Sequence, residues 1–544
     1  MTRGVFLYFF ALPCAKSGFR NIPAEFLRHR LYFPFWACYT EIINKLPKEN
    51  NAMDEQRLRK RNMIMYPLGT VGRDMVYCLV TNFLLTYILF TKGLTSAQLG
   101  AVTAIMVAAR VFDALNDPVM GNIIENTRTK WGKFKPWLLT GILLTSFVVY
   151  MVFSTDLRGW GFIALFAVFY FSFSIAYTMH DISYWGMVPA LGSDAGDRDQ
   201  FTSRATLFAG IGGIIASVLI PMLTTGEMTI GGNAGTAYSV IALVIGILSP
   251  LFVCFTLFGV REHRVDTPKK PFSLGLGKVV ATIRGNDQLL WISLIFLLQQ
   301  VGNNIAVGGL GSTYIYLTYG YSGGLYSTFN TIGMMATGIL MIFYPAISRR
   351  LHRKKLMSIL MAMSTVGYIV MIVSGFLMNG SDQRFNILTL GYMLSNFGQY
   401  GFYLVMMISI INTVEYNEYK HGTREEAIIA SIRPFFTKMG SALVVVITSV
   451  SYMLFGVVDY TNQISDLESA AAGGLITEAE KLASIENVIA GIQGNQSNGL
   501  LLYMVVLPFV LMFASYLLYR KHYILDEEEY DRICRVIAER KQTA

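Results

Sequence analysis

Charged residues are scarce in this sequence. They make up 15% of its 544 residues, whereas a typical soluble domain carries about 25%. Hydrophobic residues account for 53% of the chain, which is enough for about a dozen apolar helices of roughly 20 residues each. This composition argues against a large soluble enzyme and indicates a membrane protein.

Short motifs of catalysis and metal binding are also missing. The five cysteines are far apart, with no C-x-x-C pair and no Cys/His cluster, so neither a disulfide framework nor a cysteine metal site is indicated. The Gly-Lys pairs at 132–133 and 277–278 are not followed by Ser or Thr, which argues against a phosphate-binding loop and an ATP-driven pump. No H-E-x-x-H sequence suggests a metal-dependent hydrolase. We therefore expect no enzymatic activity and no cofactor.

Long apolar runs dominate what is present, and they predict an all-α membrane protein with twelve transmembrane helices in two six-helix halves. The predicted spans are about 64–91, 97–124, 136–154, 159–186, 204–224, 236–260, 286–318, 324–347, 356–378, 385–413, 428–458 and 499–519. The predicted organisation is an N-terminal extension (1–61), a first half (62–260), a central loop (261–285), a second half (286–520) with an outer loop (460–498), and a tail (521–544).

Basic residues predict the orientation of these spans. The chain has 44 Lys and Arg against 35 Asp and Glu, and most of the basic residues precede span 1 or follow spans 2, 6, 8, 10 and 12. The alternate connections, which follow spans 1, 3, 5, 7, 9 and 11, hold only Lys92, Arg158, Arg384 and Lys481. Because Lys and Arg concentrate in cytoplasmic loops, we expect a multi-pass protein of the plasma (inner) membrane with both termini in the cytoplasm. The positive charge thus reflects topology in a lipid bilayer, and no nucleic acid partner is expected.

Two segments lie outside this plan. The apolar stretch at 5–15 is too short to span and is similar to a signal sequence, but the basic residues at 57–61 argue that this end stays inside. Met53 is an alternative start, which would place residues 1–52 outside the protein. The outer loop 460–498 is acidic, with a helical pattern around residues 476–489, and the sequence indicates no role for it.

Span 2 carries two carboxylates on one helical face. Asp113, Asn116 and Asp117 stand at i, i+3 and i+4. Each carboxylate at bilayer depth costs about 2.5–3.5 kcal/mol, so the pair needs a compensating partner. A bound monovalent cation is one interpretation, and an ion pair with Arg110 or with an arginine on another helix is an equally good one. Pro118 frees a backbone carbonyl one turn back, which adds a ligand or a kink.

Span 4 combines a hydroxyl, a carboxylate and an indole on one face. Thr178, Asp181 and Trp185 are spaced by three and four residues. An indole can pack on the apolar face of a sugar ring while a carboxylate accepts from paired hydroxyls, so this face suits a sugar. In span 1, adjacent Arg73 and Asp74 point about 100° apart on a helix, and we expect each to find partners on other helices.

Several longer motifs carry a resemblance to a known family. The stretch Gly72-Arg73-Asp74, the run from Ala109 to Gly121, the segment from Trp131 to Trp137, and the motifs at 181–189, 415–424 and 438–441 resemble the glycoside–pentoside–hexuronide:cation symporters. The resemblance covers about residues 60–540 and implies the major facilitator fold.

The resemblance also implies site residues. It implies a cation site of Asp113, Asn116, Asp117 and Thr178. The implied sugar site has Asp74 and Asp181 as acceptors, Trp185 stacking with Tyr184 beside it, Arg204 as a donor, and Lys438 near both sites.

The expected function is therefore secondary active transport by alternating access. The partners would be a glycoside, oligosaccharide or hexuronide and a monovalent cation, with sodium favoured because an oxygen cage that includes Asn and Thr serves a metal ion. Proton-coupled symport, lithium as the coupling ion, and uniport on the same fold remain alternatives. The sequence does not identify the sugar.

Overall fold

The computed structural model describes residues 51–191, 195–261, 276–306, 308–348, 350–378, 381–423, 425–492 and 494–543. Every regular element in these ranges is a helix. Twelve spans run in chain order: Asn51–Cys78 with Leu79–Phe83 and Leu84–Thr91, Ser96–Asn126, Lys135–Ser154, Gly159–Gly186, Ala195–Thr224, Ala234–Gly259, Asp287–Asn304 with Gly309–Thr318, Gly323–Ser348, Arg353–Leu377, Arg384–His421, Glu426–Leu454 and Gly494–His522. Four further α-helices and two short 3-10 helices among the described residues do not span: Leu276–Gly285, Val457–Ala472, Glu478–Ala490, Glu527–Thr543, Val188–Ala190 and Ile230–Gly232.

Each of these spans overlaps one of the twelve predicted apolar runs. Among the described residues, eleven spans meet the length and hydropathy expected of a membrane crossing, and the bent span 2 makes twelve. The agreement has a physical cause: lipid offers no hydrogen bonds to the backbone, so a crossing segment must be one helix long enough for the bilayer. The predicted fold class is confirmed.

Two units divide the chain near its N-terminus. Internal packing separates residues 1–59 from residues 60–544, and all contacts reported below belong to the second unit. The predicted boundary at 61 falls inside the helix Asn51–Cys78, because hydropathy does not detect a polar helical extension beyond the membrane. The prediction for residues 1–52 lies almost entirely outside the described residues, as does most of the central loop, of which residues 276–285 are helical.

Three apolar clusters show how the two halves pack. One, which includes Phe83 and Tyr326, draws residues from both halves. The second, around Phe296 and Tyr519, contains residues of the second half and of the C-terminal tail, and the third, around Tyr66 and Leu257, contains only first-half residues. The shared cluster lies towards the side that we call outer, after the predicted topology. The halves are therefore packed together at the outer side and have separate cores at the inner side.

Small residues let the halves approach closely at the outer side. The Gly323 N–H, at the start of span 8, donates to the Thr225 carbonyl at 3.0 Å, next to the end of span 5. A Cβ atom at Gly323 would lie 1.7 Å from the Pro221 carbonyl oxygen, so no larger residue fits there. Thr86 and Ser312 join spans 1 and 7 through their hydroxyls at 2.9 Å.

The predicted outer loop is a helix pair. Val457–Ala472 and Glu478–Ala490, named here the outer helix pair, bridge spans 11 and 12. The second helix was predicted and the first was not. Asn462 donates to the Leu94 carbonyl at 3.0 Å, and Glu468 accepts from the Ala234 N–H at 2.7 Å. The pair, which belongs to the second half, thus docks on the outer ends of the first half.

The predicted C-terminal tail is also ordered. Helix Glu527–Thr543 packs along the inner end of span 10, where Arg540 donates to the Tyr419 carbonyl at 2.9 Å. Lys354 pairs with Asp526 at 2.9 Å just before the helix begins.

Candidate transport site

Span 2 bends at the predicted carboxylates. The segments Ser96–Asp113 and Asn116–Asn126 meet at an angle of 43°. Pro118 has no N–H to donate to the carbonyl four residues earlier, so the helix is weakened at residue 114. Asp113 and Asp117 consequently stand on either side of a bend, where side chains from other helices can reach them.

Asp113 is buried and held by two partners. Its side chain is 7% exposed, and the Ser174 hydroxyl of span 4 donates to it. The Arg110 guanidinium lies 3.6 Å from its other carboxylate oxygen. The ion-pair alternative considered from the sequence is thus realised at this position.

Asp117 connects the two halves of the protein. The Thr178 hydroxyl of span 4 donates to it at 3.1 Å. Lys438 of span 11 donates to its second carboxylate oxygen and forms an ion pair with it. The sequence separation of 321 residues between Lys438 and Asp117 means that this contact exists only when the halves are packed together.

Arg73 joins the two remaining carboxylates. Its guanidinium donates twice to Asp74, at 2.9 and 2.7 Å, and once to Asp181 of span 4 at 2.9 Å. The expectation that Arg73 and Asp74 would not pair with each other was wrong. Although their Cα–Cβ bonds diverge, the long arginine side chain turns back towards its neighbour, and the rings of Tyr184 and Trp185 each lie 5.2 Å from the guanidinium carbon.

These side chains surround one cavity between spans 1, 2, 4 and 11. Its volume of about 50 Å³ is room for about four water molecules, so a sugar requires the site to widen. The lining residues are Tyr77, Arg110, Asp113, Asp117, Phe173, Ser174, Tyr177, Thr178, Asp181, Thr437, Lys438 and Ser441.

The charged groups in and beside the cavity do not balance. Four carboxylates face three cations, which leaves one negative charge when every group carries its ordinary charge. The acidic groups are Asp74, Asp113, Asp117 and Asp181, and the basic groups are Arg73, Arg110 and Lys438. An uncompensated charge at membrane depth is costly, so one added monovalent cation would complete the balance.

The structure brings some predicted residues together and leaves others apart. Asp113, Asp117, Thr178, Asp181 and Lys438 line the cavity, and Asp74 and Trp185 adjoin it through Arg73.

Three predicted site residues do not line this cavity. Asn116 is not among its lining residues, and its amide nitrogen is buried with no partner among the described residues. Arg204 is exposed and reaches the Met63 carbonyl at 3.4 Å. Tyr184 has no exposed surface.

Tyr184 instead joins spans 1 and 4 beneath the site. Its ring stacks on Tyr66 at 4.3 Å, its hydroxyl donates to the Tyr66 carbonyl at 2.6 Å, and the Tyr66 hydroxyl donates to the Tyr184 carbonyl at 2.8 Å. Sequence spacing could not distinguish this reciprocal pair from a ring that faces the sugar.

Several cavity residues were missed. Ser174 and Tyr177 each precede a predicted residue by four, Thr178 and Asp181 respectively, so extending the same helical face by one turn would have found them. Thr437 directly precedes Lys438, and Ser441 follows it by three residues. Tyr77 follows Asp74 by three residues and therefore shares its helical face.

Replacing Tyr184 with Phe tests its packing role. Tyr184→Phe removes one donor to the Tyr66 carbonyl, which Thr256 also contacts at 3.2 Å, so we expect a loss of about 1 kcal/mol in stability. Thermal unfolding in detergent should show this loss, and Tyr66→Phe should show a similar one. The sugar KM should stay within about twofold. A higher KM with unchanged thermal stability would restore Tyr184 to the sugar site.

Residues 65–479 match the family model described as MFS/sugar transport protein. The chain belongs to this family. The match covers spans 1 to 11 and confirms the resemblance to cation symporters of the major facilitator superfamily. This is a family of multi-pass membrane transporters, so the prediction that the chain is not an enzyme is also confirmed.

Known members of the MFS/sugar transport family are similar over much of the chain. The lactose permease of Leuconostoc lactis is 28% identical over 405 residues, which cover 70% of this chain and 60% of that protein. The raffinose carrier protein of Pediococcus pentosaceus is 28% identical over 446 residues, which cover 77% of this chain and 65% of that protein. The chain therefore spans less than two thirds of the length of these relatives.

A solved transporter structure shows the same fold. It is a bacterial homolog to the human lysosomal transporter Spinster in an inward-facing and unoccupied conformation, with a TM-score of 0.58 and 12% identity. The likeness covers 87% of this chain and 98% of that one, and at this identity it shows the fold alone.

Proposed function

We propose that this protein is a symporter that carries a sugar and one monovalent cation across the membrane together. The single observation that carries the proposal is the charge balance at the cavity: one negative charge remains among seven charged side chains from both halves. A uniporter has no need of an excess charge at membrane depth, where it is costly.

Sodium is the coupling ion that the donors favour. Asp113 and Asp117 provide carboxylate oxygens, and the hydroxyls that already bond to them, Ser174 and Thr178, provide two more oxygen ligands. Hard cations prefer oxygen ligands of this kind. A proton needs only one carboxylate, so proton coupling is the second candidate, supported by the same two residues.

The sugar site would adjoin the cation site along span 4. Thr178 and Asp181 are one turn apart, so ordering Thr178 by the cation orders Asp181 as well. Asp181 accepts from sugar hydroxyls, the Arg73 guanidinium donates, and Trp185 offers a ring face. Binding of the two ligands should be reciprocally favourable by about 1–3 kcal/mol.

Alternating access follows from the contact between halves. Lys438 of the second half is paired with Asp117 of the first, and a cation beside Asp117 competes with this ammonium for the same carboxylate. Binding would thereby change the strength of an inter-half contact and couple site occupancy to rocking of the halves.

A sugar panel measured with and without a sodium gradient tests the proposal. Proteoliposomes with the full-length chain would receive labelled lactose, raffinose, a pentoside and a glucuronide, with choline replacing sodium at fixed pH. We expect at least one sugar to accumulate above its external concentration only with the sodium gradient.

The other outcomes identify the alternatives. Accumulation driven by a pH gradient, but not by sodium, would indicate proton coupling. Equilibration and counterflow without any cation dependence would indicate uniport. The absence of uptake and counterflow for every sugar would refute sugar transport.

A further inference from the structure

The first span of each half is interrupted at a corresponding place. In span 1 the α-helix gives way to a π-helical segment, Leu79–Phe83, directly after Arg73, Asp74 and Tyr77. In span 7 the helix ends at Asn304 and resumes at Gly309. Interrupted helices in corresponding positions of the two halves of a transporter mark its binding site, and span 1 already contributes to the cavity.

The residues before the span 7 interruption are unusually polar. Gln299, Gln300, Asn303 and Asn304 are four amides within six residues at membrane depth. Burying an amide is costly unless it is hydrogen-bonded or serves a ligand, so these side chains need a reason to be there.

A direct contact between spans 1 and 7 fixes the depth of these amides. Thr86 and Ser312 share a hydrogen bond at 2.9 Å. Asp74 and Gln300 each lie twelve residues before this contact point, and both stretches include the interruption of their span. The equal counts place Gln300 and Asp74 at similar levels in their two halves.

Span 11 relates the amides to the cavity. A Cβ atom at Gly440 would lie 3.1 Å from the Gln300 Cβ atom, so the helix that carries Gln300 touches the helix that carries Lys438. Lys438 and Ser441, on either side of Gly440, line the cavity.

Asn304 is the amide with capacity to bind a ligand. Its amide nitrogen donates to the Gln300 carbonyl at 2.8 Å and to the Gln300 side-chain oxygen at 3.3 Å. This pair of bonds holds the side chain in one orientation. Its own carbonyl oxygen accepts no hydrogen bond from the described residues, and the side chain is half-buried rather than sealed in the core.

Asn303 differs although it is the adjacent residue. It is 6% exposed, its amide hydrogen-bonds to Tyr400 of span 10 inside the second half, and its carbonyl oxygen is buried with no partner among the described residues. Successive residues point about 100° apart on a helix, so Asn303 belongs to the packing of the second half and Asn304 to the side next to span 11.

We propose that Asn304 binds a hydroxyl group of the transported sugar and that Gln300 positions it, so that span 7 forms the second-half wall of the sugar site. The inference rests on the proposed sugar transport and extends it to a specific contact. The first-half wall presents carboxylates and a guanidinium, and a neutral carbonyl oxygen adds an acceptor for a sugar O–H that repels no nearby carboxylate.

The test compares Asn304→Ala with the matched control Asn303→Ala in proteoliposomes of the full chain. The probe is the panel sugar that wild type transports fastest. Three quantities are measured for each variant: the sugar KM, the sodium concentration for half-maximal uptake, and the thermal unfolding midpoint. Asn304→Ser, which keeps a small polar group, provides a second variant that is less prone to misfold.

We expect Asn304→Ala to raise the sugar KM about tenfold, with the sodium constant and unfolding midpoint unchanged. Asn304→Ser should lie between wild type and Asn304→Ala. Asn303→Ala should lower the unfolding midpoint and leave KM within about twofold of wild type.

An unchanged KM in Asn304→Ala, or an equal rise in Asn303→Ala, would overturn the assignment. Asn304 would have only a packing role if Asn304→Ala raised both the sugar KM and the sodium concentration for half-maximal uptake and also lowered the unfolding midpoint. Wild-type uptake is measured in the same experiment. Uptake by wild type with an unchanged KM in Asn304→Ala would refute only the role of Asn304, whereas an inactive wild type would refute the proposed sugar transport as well.

Discussion

Asp117→Asn should abolish sodium-driven sugar accumulation. The substitution removes one of four carboxylates facing three cations, so the site becomes neutral without a bound ion and would be positive with one. Loss of a charge about 4 Å from the ion corresponds to roughly 4 kcal/mol at an effective dielectric constant of about 20, or roughly 1,000-fold in sodium affinity. The measurement is sodium-dependent uptake of the best panel sugar in proteoliposomes.

Sugar exchange separates loss of coupling from loss of folding. Asn retains an acceptor oxygen for the Thr178 and Lys438 contacts, so counterflow of sugar should persist in Asp117→Asn. Asp287→Asn is a matched control, because Asp287 pairs with Lys420 at 2.6 Å near the inner end of span 7, away from the cavity residues. Intact sodium-driven accumulation in Asp117→Asn, or its loss in Asp287→Asn, would contradict the assigned cation site.

Lys481→Met should detach the outer helix pair. The Lys481 and Glu468 side chains are 0% and 2% exposed and lie 3.4 Å apart. Lys481 also donates to the Gly232 carbonyl at 2.7 Å. Removing the ammonium leaves a buried carboxylate without its cation, which costs about 3–5 kcal/mol. Limited proteolysis near Gly473 and Gly474, between the two helices, should become faster, and the thermal unfolding midpoint should fall.

The loss of stability in Lys481→Met should depend on pH because Glu468 titrates. Burial raises the pKa of Glu468 above its ordinary value of 4.5, against the lowering effects of Lys481 and of the Ala234 N–H. A raised pKa in the folded protein means that protonation favours folding, so this contribution is full below pH 4.5 and is lost as pH rises through the raised value. Without Lys481, the buried Glu468 carboxyl destabilises the fold least when it is protonated and neutral. The fall in the unfolding midpoint of Lys481→Met should therefore be smaller at pH 5 than at pH 8.

Two further variants test whether the unpaired Glu468 charge causes the instability of Lys481→Met. Glu468→Leu/Lys481→Met replaces both charges with apolar groups and should recover most of the stability, since a buried ion pair is often replaceable by well-packed apolar residues. Arg532→Ala breaks an exposed pair with Glu529 and should lower the unfolding midpoint far less than Lys481→Met. A double variant as unstable as Lys481→Met would show that packing, and not the unpaired charge, holds the helix pair.

The membrane architecture was predictable from sequence because the bilayer acts on each span separately. A segment in lipid must satisfy its own backbone hydrogen bonds, so apolar length alone marks a crossing and no information from other helices is needed. The same local logic placed Asp113 and Asp117 together and anticipated the weakness before Pro118, which coincides with the 43° bend.

Local reasoning failed where a residue's role depends on a partner from another helix. Lys438 meets Asp117 across the two halves, and the spacing within span 11 contains no trace of that contact. Tyr184 has the ring and position of a sugar contact, yet Tyr66 of span 1 takes both its face and its hydroxyl. The first helix of the outer pair depends on its docking on the first half, because a weakly apolar helix is stable only when packed.

The amino-acid sequence by itself determined the class of this protein, the number and place of its spans, and which few charged residues would lie within the membrane. Those properties follow from the free energy of each segment in lipid. Only the tertiary structure decided how the charges pair, that four carboxylates face three cations, and which amide of span 7 keeps a partly exposed free acceptor. These properties arise from groups distant in the chain that meet at a few ångströms, where hydrogen bonds and charge pairing act, and their energies belong to no single segment.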